Sequence, residues 1–142
     1  MWENPMAFQG GCVCKAVRYE VSADPMAVMN CHCRACQYAS GGAYTTAVVV
    51  PRGTLTVTNG TPKSYVSTGD SGGKVVRMFC GDCGSPLFSE PETGPFQVVK
   101  AASMDDPGKL IVGGALYVSE AQPWAHIDPK KPAFEKMPPG AR

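Results

Sequence analysis

The sequence lacks long apolar runs and an excess of charge of either sign. Its longest strongly apolar run, Ala47-Val48-Val49-Val50, ends at Pro51, far short of the roughly 20 residues that span a bilayer. The 13 Lys and Arg nearly balance the 12 Asp and Glu, for a formal charge of +1 without blocks of one sign. This balance differs from that of nucleic-acid binders. The composition therefore indicates a small partner that is neutral or of mixed charge, with no nucleic acid and no membrane.

The amino terminus lacks the features of a secretion signal. The segment Met1-Trp2-Glu3-Asn4-Pro5 has neither the basic region nor the apolar region of a signal peptide. The expected compartment is a reducing cytoplasm, in which thiols stay free for metal. Because 142 residues support one modest core, we expect a flexible N-terminus over 1–7, a single zinc-binding domain over 8–137 and a tail over 138–142.

Glycine and proline, in contrast, are frequent. Sixteen glycines and 13 prolines at 44% hydrophobic content favour many short strands and turns over long helices. Apolar alternation at 16–21 and 54–58 predicts half-buried strands. The dipeptide Asn59-Gly60 predicts a hairpin turn before the next strand, and 37–39 predicts a single helical turn. The sequence therefore predicts a mainly β fold.

The seven cysteines are the densest chemical signal in the chain. Three of them, with a histidine, lie in the six-residue stretch Cys31-His32-Cys33-Arg34-Ala35-Cys36. The others form the pairs Cys12-Val13-Cys14 and Cys80-Gly81-Asp82-Cys83. Disulfides are a poor explanation, because Cys-x-Cys bridges are strained and seven is an odd number. Dense thiols without a secretion signal instead predict metal sites, with zinc as the expected ion.

The spacing alone allows two divisions of these thiols. One division joins the Cys-x-x-Cys motifs that begin at Cys33 and Cys80 as a zinc ribbon and leaves three thiols over. The other division has a closed site and an open site, and an open position is what a catalytic zinc requires. The closed site is the "outer four": Cys12, Cys14, Cys80 and Cys83. The open site is the "central trio": Cys31, Cys33 and Cys36.

From about Phe8 to Met137 the chain resembles the glutathione-dependent formaldehyde-activating enzyme family, which includes the centromere protein V domain. The seven cysteines in their 2+3+2 order are the most specific part of this resemblance. The matching segments are 11–14 with 17–19, 31–36 with 40–41, 79–88, 104–107 and 123–134.

The resemblance implies a small, mainly β domain of antiparallel sheets joined by zinc, with little helix, similar to the methionine-R-sulfoxide reductase type (β-tent). It also implies a structural zinc on the outer four and a labile second zinc on the central trio, whose cysteines are then the catalytic residues. The implied activity is that of a carbon–sulfur lyase, S-(hydroxymethyl)glutathione synthase, which condenses glutathione with formaldehyde. A zinc-binding module that binds a partner or carries thiol adducts without catalysis is the alternative interpretation.

Four further residues are weaker candidates. His32 lies between metal ligands, and we expect it beside the site or at the surface rather than on the metal. Arg34 and Lys15 are placed to receive a carboxylate of glutathione, although solvated surface charge is the simpler interpretation. His126 either packs against its neighbours or lines a pocket near the carboxyl end.

Overall fold

The computed structural model describes residues 8–138. The expected flexible N-terminus and the tail beyond Pro138 lie outside these residues. Within them the fold is mainly β, as the sequence predicts, with one α-helix and three short 3-10 turns. The helix is α1 (Arg34–Ser40). The strands are β1 (Phe8–Gly11), β2 (Arg18–Val21), β3 (Ala27–Cys31), β4 (Thr45–Pro51), β5 (Leu55–Asn59), β6 (Lys63–Thr68), β7 (Lys74–Phe79), β8 (Pro86–Pro91), β9 (Phe96–Lys100) and β10 (Gly114–Leu116).

The strands form two sheets. The small sheet has the order β1-β2-β5 and is antiparallel throughout. The large sheet has the order β10-β3-β4-β9-β8-β7-β6. Its neighbouring strands are antiparallel except β10, which runs parallel to β3. Most of this pairing joins segments that are distant in sequence.

The two faces of the large sheet have different surroundings. Because side chains alternate across a strand, β4 sends Val48 and Val50 into the core and Ala47 and Val49 into a cleft on the other face. Both valines of the core face are fully buried. Both faces of this part of β4 therefore lie against apolar surroundings, the core on one side and the cleft on the other. For this reason the run 47–50 is apolar throughout and does not alternate in polarity.

Tyr19 joins the two sheets inside the core. Its side chain is 1% exposed, and its ring meets that of Phe88 edge-on at 6.3 Å between centroids. Its hydroxyl lies 2.7 Å from Ser103 Oγ, which in turn donates to the carbonyl of Lys100. Burial raises the pKa of Tyr19 to about 12, so a neutral phenol makes these contacts.

The hairpin turn predicted at Asn59-Gly60 is wrong. β5 pairs with β2, and Asn59 lies opposite Arg18, whereas β6 forms the far edge of the large sheet. The chain therefore passes from one sheet to the other at Gly60. This glycine has φ of +75°, and a Cβ atom on it would lie 2.1 Å from the Ala16 carbonyl oxygen. The chain does bend at Gly60, but this bend leads from the small sheet to the large sheet, because β5 pairs with the distant strand β2 rather than with β6.

The helical turn predicted at 37–39 belongs to the longer helix α1. The helix begins after Cys33, whose sulfur accepts from the N–H of Cys36 at 3.4 Å, and it ends at Gly41. None of the helices in residues 8–138 is long and apolar enough to cross a membrane.

Residues 69–73 form the tip of the hairpin that connects β6 with β7. Its base is closed by a hydrogen bond from the Gly69 N–H to the Gly73 carbonyl at 2.8 Å. Asp70 in this tip accepts from the Tyr117 hydroxyl at 3.0 Å and lies 3.7 Å from Lys136 Nζ. The tip thus meets the C-terminal segment across the cleft face of the large sheet.

We predict that Gly60→Ala destabilises the protein more than Gly53→Ala does. Both glycines have positive φ, at which an ordinary side chain costs about 1–2 kcal/mol. A methyl group at Gly53 would meet no atom within 4 Å, whereas at Gly60 it would collide with the Ala16 carbonyl. Thermal unfolding at a fixed metal concentration should therefore show the lower midpoint for Gly60→Ala. Equal losses in the two variants would contradict the close contact.

Candidate metal centres

The structure brings the seven cysteines together as four and three. Within each group the sulfur atoms all lie within 4.8 Å of one another. The first group is the outer four and the second is the central trio. The two Cys-x-x-Cys motifs fall in different groups, so the chain does not adopt the ribbon arrangement. Each group is able to hold a metal ion.

The outer four lie in two hairpin turns, one from each sheet. Cys12 follows β1 and Cys14 lies before β2, while Cys80 and Cys83 lie between β7 and β8. The sulfur of Cys14 is 3.5 Å from that of Cys12 and 3.7 Å from that of Cys80. A metal ion held by this group would join the small sheet to the large sheet.

Backbone N–H groups point at two of these sulfurs. The N–H of Val17 donates to Cys12 Sγ at 3.2 Å, and the N–H of Asp82 donates to Cys80 Sγ at 3.4 Å. Hydrogen bonds to a charged sulfur favour the thiolate, the form that binds metal. Both turns are thus shaped to present thiolates.

Ser85 connects the two turns. Its hydroxyl oxygen accepts from the N–H of Val13 at 3.1 Å and lies 3.2 Å from Cys83 Sγ. The hydrogen bond from this hydroxyl, assisted by backbone N–H groups, lowers the pKa of Cys83 to about 5. Motif spacing does not reveal this contact of Ser85, because its partner Val13 is 72 positions away.

The central trio is built on the junction of β3 and α1. Cys31 is the last residue of β3, Cys33 is the N-cap of α1, and Cys36 lies inside the helix. Cys31 and Cys36 are each 8% exposed, and the Thr45 hydroxyl donates to the Cys36 carbonyl at 2.8 Å. A strand end followed by a short helix therefore turns all three sulfurs towards one point.

Gln37 holds this junction in place, a role that the sequence did not predict. It is buried, and its Nε2 donates to the carbonyls of His32 at 2.7 Å and of Glu120 at 3.0 Å. Its Oε1 accepts from Gln122 Nε2 at 3.1 Å. A buried amide in a seven-residue helix thus links the trio's backbone to the segment that follows β10.

The central trio opens on a cleft of about 880 Å³. All three of its cysteines line this cleft, whereas none of the outer four does. The floor is the exposed face of the large sheet, where apolar side chains such as Met29, Val49 and Val98 predominate. Two cations interrupt this floor, Arg77 from β7 and Lys100 from β9. The trio is therefore accessible to a ligand of substantial size.

The three thiols of the trio cannot ionise independently. Contact with Cys33, then with Cys36, raises the pKa of Cys31. Contact with Cys31 and Cys33 lowers the pKa of Cys36, and the charges of Lys100 and Arg77 add to that lowering. Burial lowers the pKa of Lys100, an effect that the charge on Cys36 opposes. The ionisation of each thiol thus depends on the other two, and three thiolates together require a cation among them.

The histidines lie away from the trio. Both line a second cleft of about 230 Å³ that none of the cysteines lines. His32 is 1% exposed and its ring lies 5.1 Å from that of Tyr44, so the expectation of a surface position is wrong. It is no member of either cysteine group. His126 lines a pocket, as one of the two interpretations held.

Neither cation proposed from the sequence lines the large cleft. The Arg34 guanidinium donates to Gln37 Oε1 at 2.5 Å and stacks over the Tyr38 ring at 4.9 Å. Lys15 is exposed in the turn that carries Cys14. The cations that do face the trio, Arg77 and Lys100, were missed because they come from strands distant in sequence.

Two sheets joined at a four-cysteine group, with a three-cysteine group open to a cleft, define a small β protein with two candidate metal centres. The chain belongs to the glutathione-dependent formaldehyde-activating enzyme family, whose sequence profile matches residues 7–120. This membership supports a formaldehyde-activating, glutathione-related function and confirms the resemblance drawn from the cysteine order.

A crystal structure of a Rhodobacter sphaeroides protein has a similar fold, with a TM-score of 0.54 and 19% sequence identity. The similarity covers 68% of this chain and 87% of that one. Among curated proteins no match is found. At this identity the structural similarity supports the fold alone.

We predict that Ser85→Ala weakens metal binding at the outer four by about tenfold, the low end of the effect of residues that orient metal ligands. The variant loses the hydroxyl that contacts both Val13 and Cys83. Competition with a chromophoric chelator measures the affinity. Ser71→Ala, in the hairpin tip, serves as the matched control and should behave as the unmodified chain. An unchanged affinity in Ser85→Ala would contradict the role of this hydroxyl.

Proposed function

We propose that this protein is a zinc-dependent carbon–sulfur lyase of the cytoplasm. Its proposed reaction condenses glutathione, or a related small thiol, with formaldehyde to give S-(hydroxymethyl)glutathione. The observation that carries this proposal is the opening of the central trio, and of no other cysteine, on the large cleft. The cleft volume of about 880 Å³ lies within the usual range for small-molecule sites, about 300–1,000 Å³.

The donor sets fit zinc at both groups. Zinc–thiolate bonds of about 2.3 Å in a tetrahedron place the sulfurs roughly 3.8 Å apart. The separations of 3.5 Å and 3.7 Å around Cys14 are close to that value. Four thiols complete the shell of an ion, which is typical of structural zinc, whereas three thiols leave a position open, which is typical of catalytic zinc.

The proposed chemistry needs few protein groups. A zinc ion on the trio would lower the pKa of a thiol that reached its open position. Cys31, Cys33 and Cys36 then serve as ligands rather than as covalent nucleophiles. The sulfur of the thiol bonds to the aldehyde carbon, and the proton lost by the thiol ends on the aldehyde oxygen. The reaction therefore needs no oxidant or reductant.

The first prediction from this proposal concerns the division of metal roles. Cys80→Ser should abolish cooperative unfolding, because the structural site contributes to folding itself. Cys36→Ser should remain folded and lose one equivalent of zinc. Circular dichroism and elemental analysis of the purified variants measure the two effects.

A second variant in each group provides the control. Cys83→Ser should behave as Cys80→Ser does, and Cys33→Ser as Cys36→Ser does. Equal loss of fold in all four variants would mean that the central trio is also structural, and it would remove the basis for an open site.

The second prediction concerns turnover. Zinc-loaded protein should accelerate adduct formation between glutathione and formaldehyde in a saturable way, as followed by exchange NMR spectroscopy. Cys36→Ser should lose this acceleration, because it lacks one ligand of the open site. Lys130→Gln changes an exposed side chain that lines neither cleft, and it should retain full acceleration.

The enzyme proposal would be contradicted if the protein were folded and zinc-loaded and yet did not accelerate adduct formation for any small thiol tested. Binding of glutathione without turnover would instead support the carrier interpretation.

A further inference from the structure

The cleft beside the central trio carries two cations on an otherwise mostly apolar floor. Alternation along β9 places Val98 and Lys100 on the cleft face and Val99 in the core. Arg77 reaches the same face from β7, where it lies opposite Ser89 of β8. Both cations therefore line the same cleft as the three cysteines of the trio.

Lys100 occupies an unfavourable environment for an ammonium group. The residue is 8% exposed and pairs across the sheet with Ala47, a small apolar residue. No carboxylate of residues 8–138 forms a salt bridge with it. Because a buried charge is costly without an opposite charge, this lysine depends on the thiols of the trio, or on an anionic ligand in the same cleft, for compensation.

Arg77 is held in a defined orientation. Its Nε donates to Ser67 Oγ at 3.0 Å, which fixes one edge of the guanidinium. Within the described chain no carboxylate forms a salt bridge with it. The planar fork of a guanidinium matches a carboxylate, to which it can donate two parallel hydrogen bonds.

The acidic residues of the cleft are engaged elsewhere. Asp70 accepts from the Tyr117 hydroxyl and lies 3.7 Å from Lys136 Nζ. Glu120 accepts from the backbone N–H of Arg34 at 2.9 Å. Neither carboxylate forms a salt bridge with Arg77 or Lys100.

We propose that Arg77 and Lys100 select a thiol that carries a carboxylate. In this arrangement the carboxylate lies over the two cations while the sulfur of the same molecule reaches the central trio. The inference rests on the proposed function and narrows its substrate class to anionic thiols. Neutral thiols bind more weakly, and cationic thiols are disfavoured by like charge.

The test compares thiols of different charge on the zinc-loaded protein by isothermal titration calorimetry. The probes are glutathione, its diethyl ester, in which both carboxylates are masked, and the cationic thiol cysteamine. A hydrogen bond to a charged group corresponds to an affinity gain of about 10- to 100-fold. We expect glutathione to bind more tightly than the ester by that factor, and cysteamine, which has no carboxylate, to bind less tightly than glutathione.

Two variants assign this preference to the cations. Lys100→Met keeps the length of the side chain without its charge, and Arg77→Gln removes the fork. Each should reduce the preference for glutathione over the ester at least about tenfold. Arg77→Lys keeps the charge and should restore part of the preference, and Lys130→Gln is the control for loss of a surface charge. If Lys100→Met fails to fold, Arg77→Gln alone decides the outcome.

The outcomes separate this inference from the proposed function. Equal affinity for glutathione and its ester in the unmodified protein overturns anion selection and leaves the proposed reaction intact. An unchanged preference in Arg77→Gln also overturns it. Failure of every thiol to bind would overturn the proposed function and this inference together.

Discussion

The outer four cysteines impose the constraint on which the architecture depends, because they bring two hairpin turns from different sheets to one point. The small sheet contributes the turn after β1 and the large sheet the turn after β7. Their sulfurs lie within 4.8 Å of one another, although Cys14 and Cys80 are 66 positions apart in the sequence. An ion at this point would fix the relative position of the sheets, and the core between them would then form around Tyr19 and its contacts.

The same large sheet also creates the candidate active centre. One face packs in the core through residues such as Val48 and Val99, so the opposite face is left to line a cleft. The alternation that separates the two faces also separates the residues at the end of β3. Cys31 lies on the cleft side, and the next residue, His32, lines the second cleft. A histidine embedded among cysteines in sequence therefore lines a different cleft and belongs to neither cysteine group.

Local patterns in the sequence predict much of this structure. The strand predicted from the alternation of 54–58 and the helical turn predicted at 37–39 are both present, because each depends on neighbouring residues. The Asn59-Gly60 turn failed for the opposite reason, since the partner of β5 is β2 rather than β6. The division of the cysteines into four and three was left open by spacing; the open position that it provides favoured it, and the family resemblance implied it.

The distribution of charged side chains inside the cleft could not be predicted from the sequence. A formal charge of +1 suggests no strong preference for a charged ligand, but net charge averages over a surface whose acids and bases are placed separately. Asp70 and Glu120 are engaged at the rim, whereas Arg77 and Lys100 stand on the floor beside the trio. Electrostatic interactions strengthen as water is excluded. The positions of these four charged groups in the cleft therefore affect ligand preference more than the net charge of the whole chain does. Arg77 and Lys100 are brought together by the pairing of strands that are separated in sequence, so no local sequence motif predicts their arrangement.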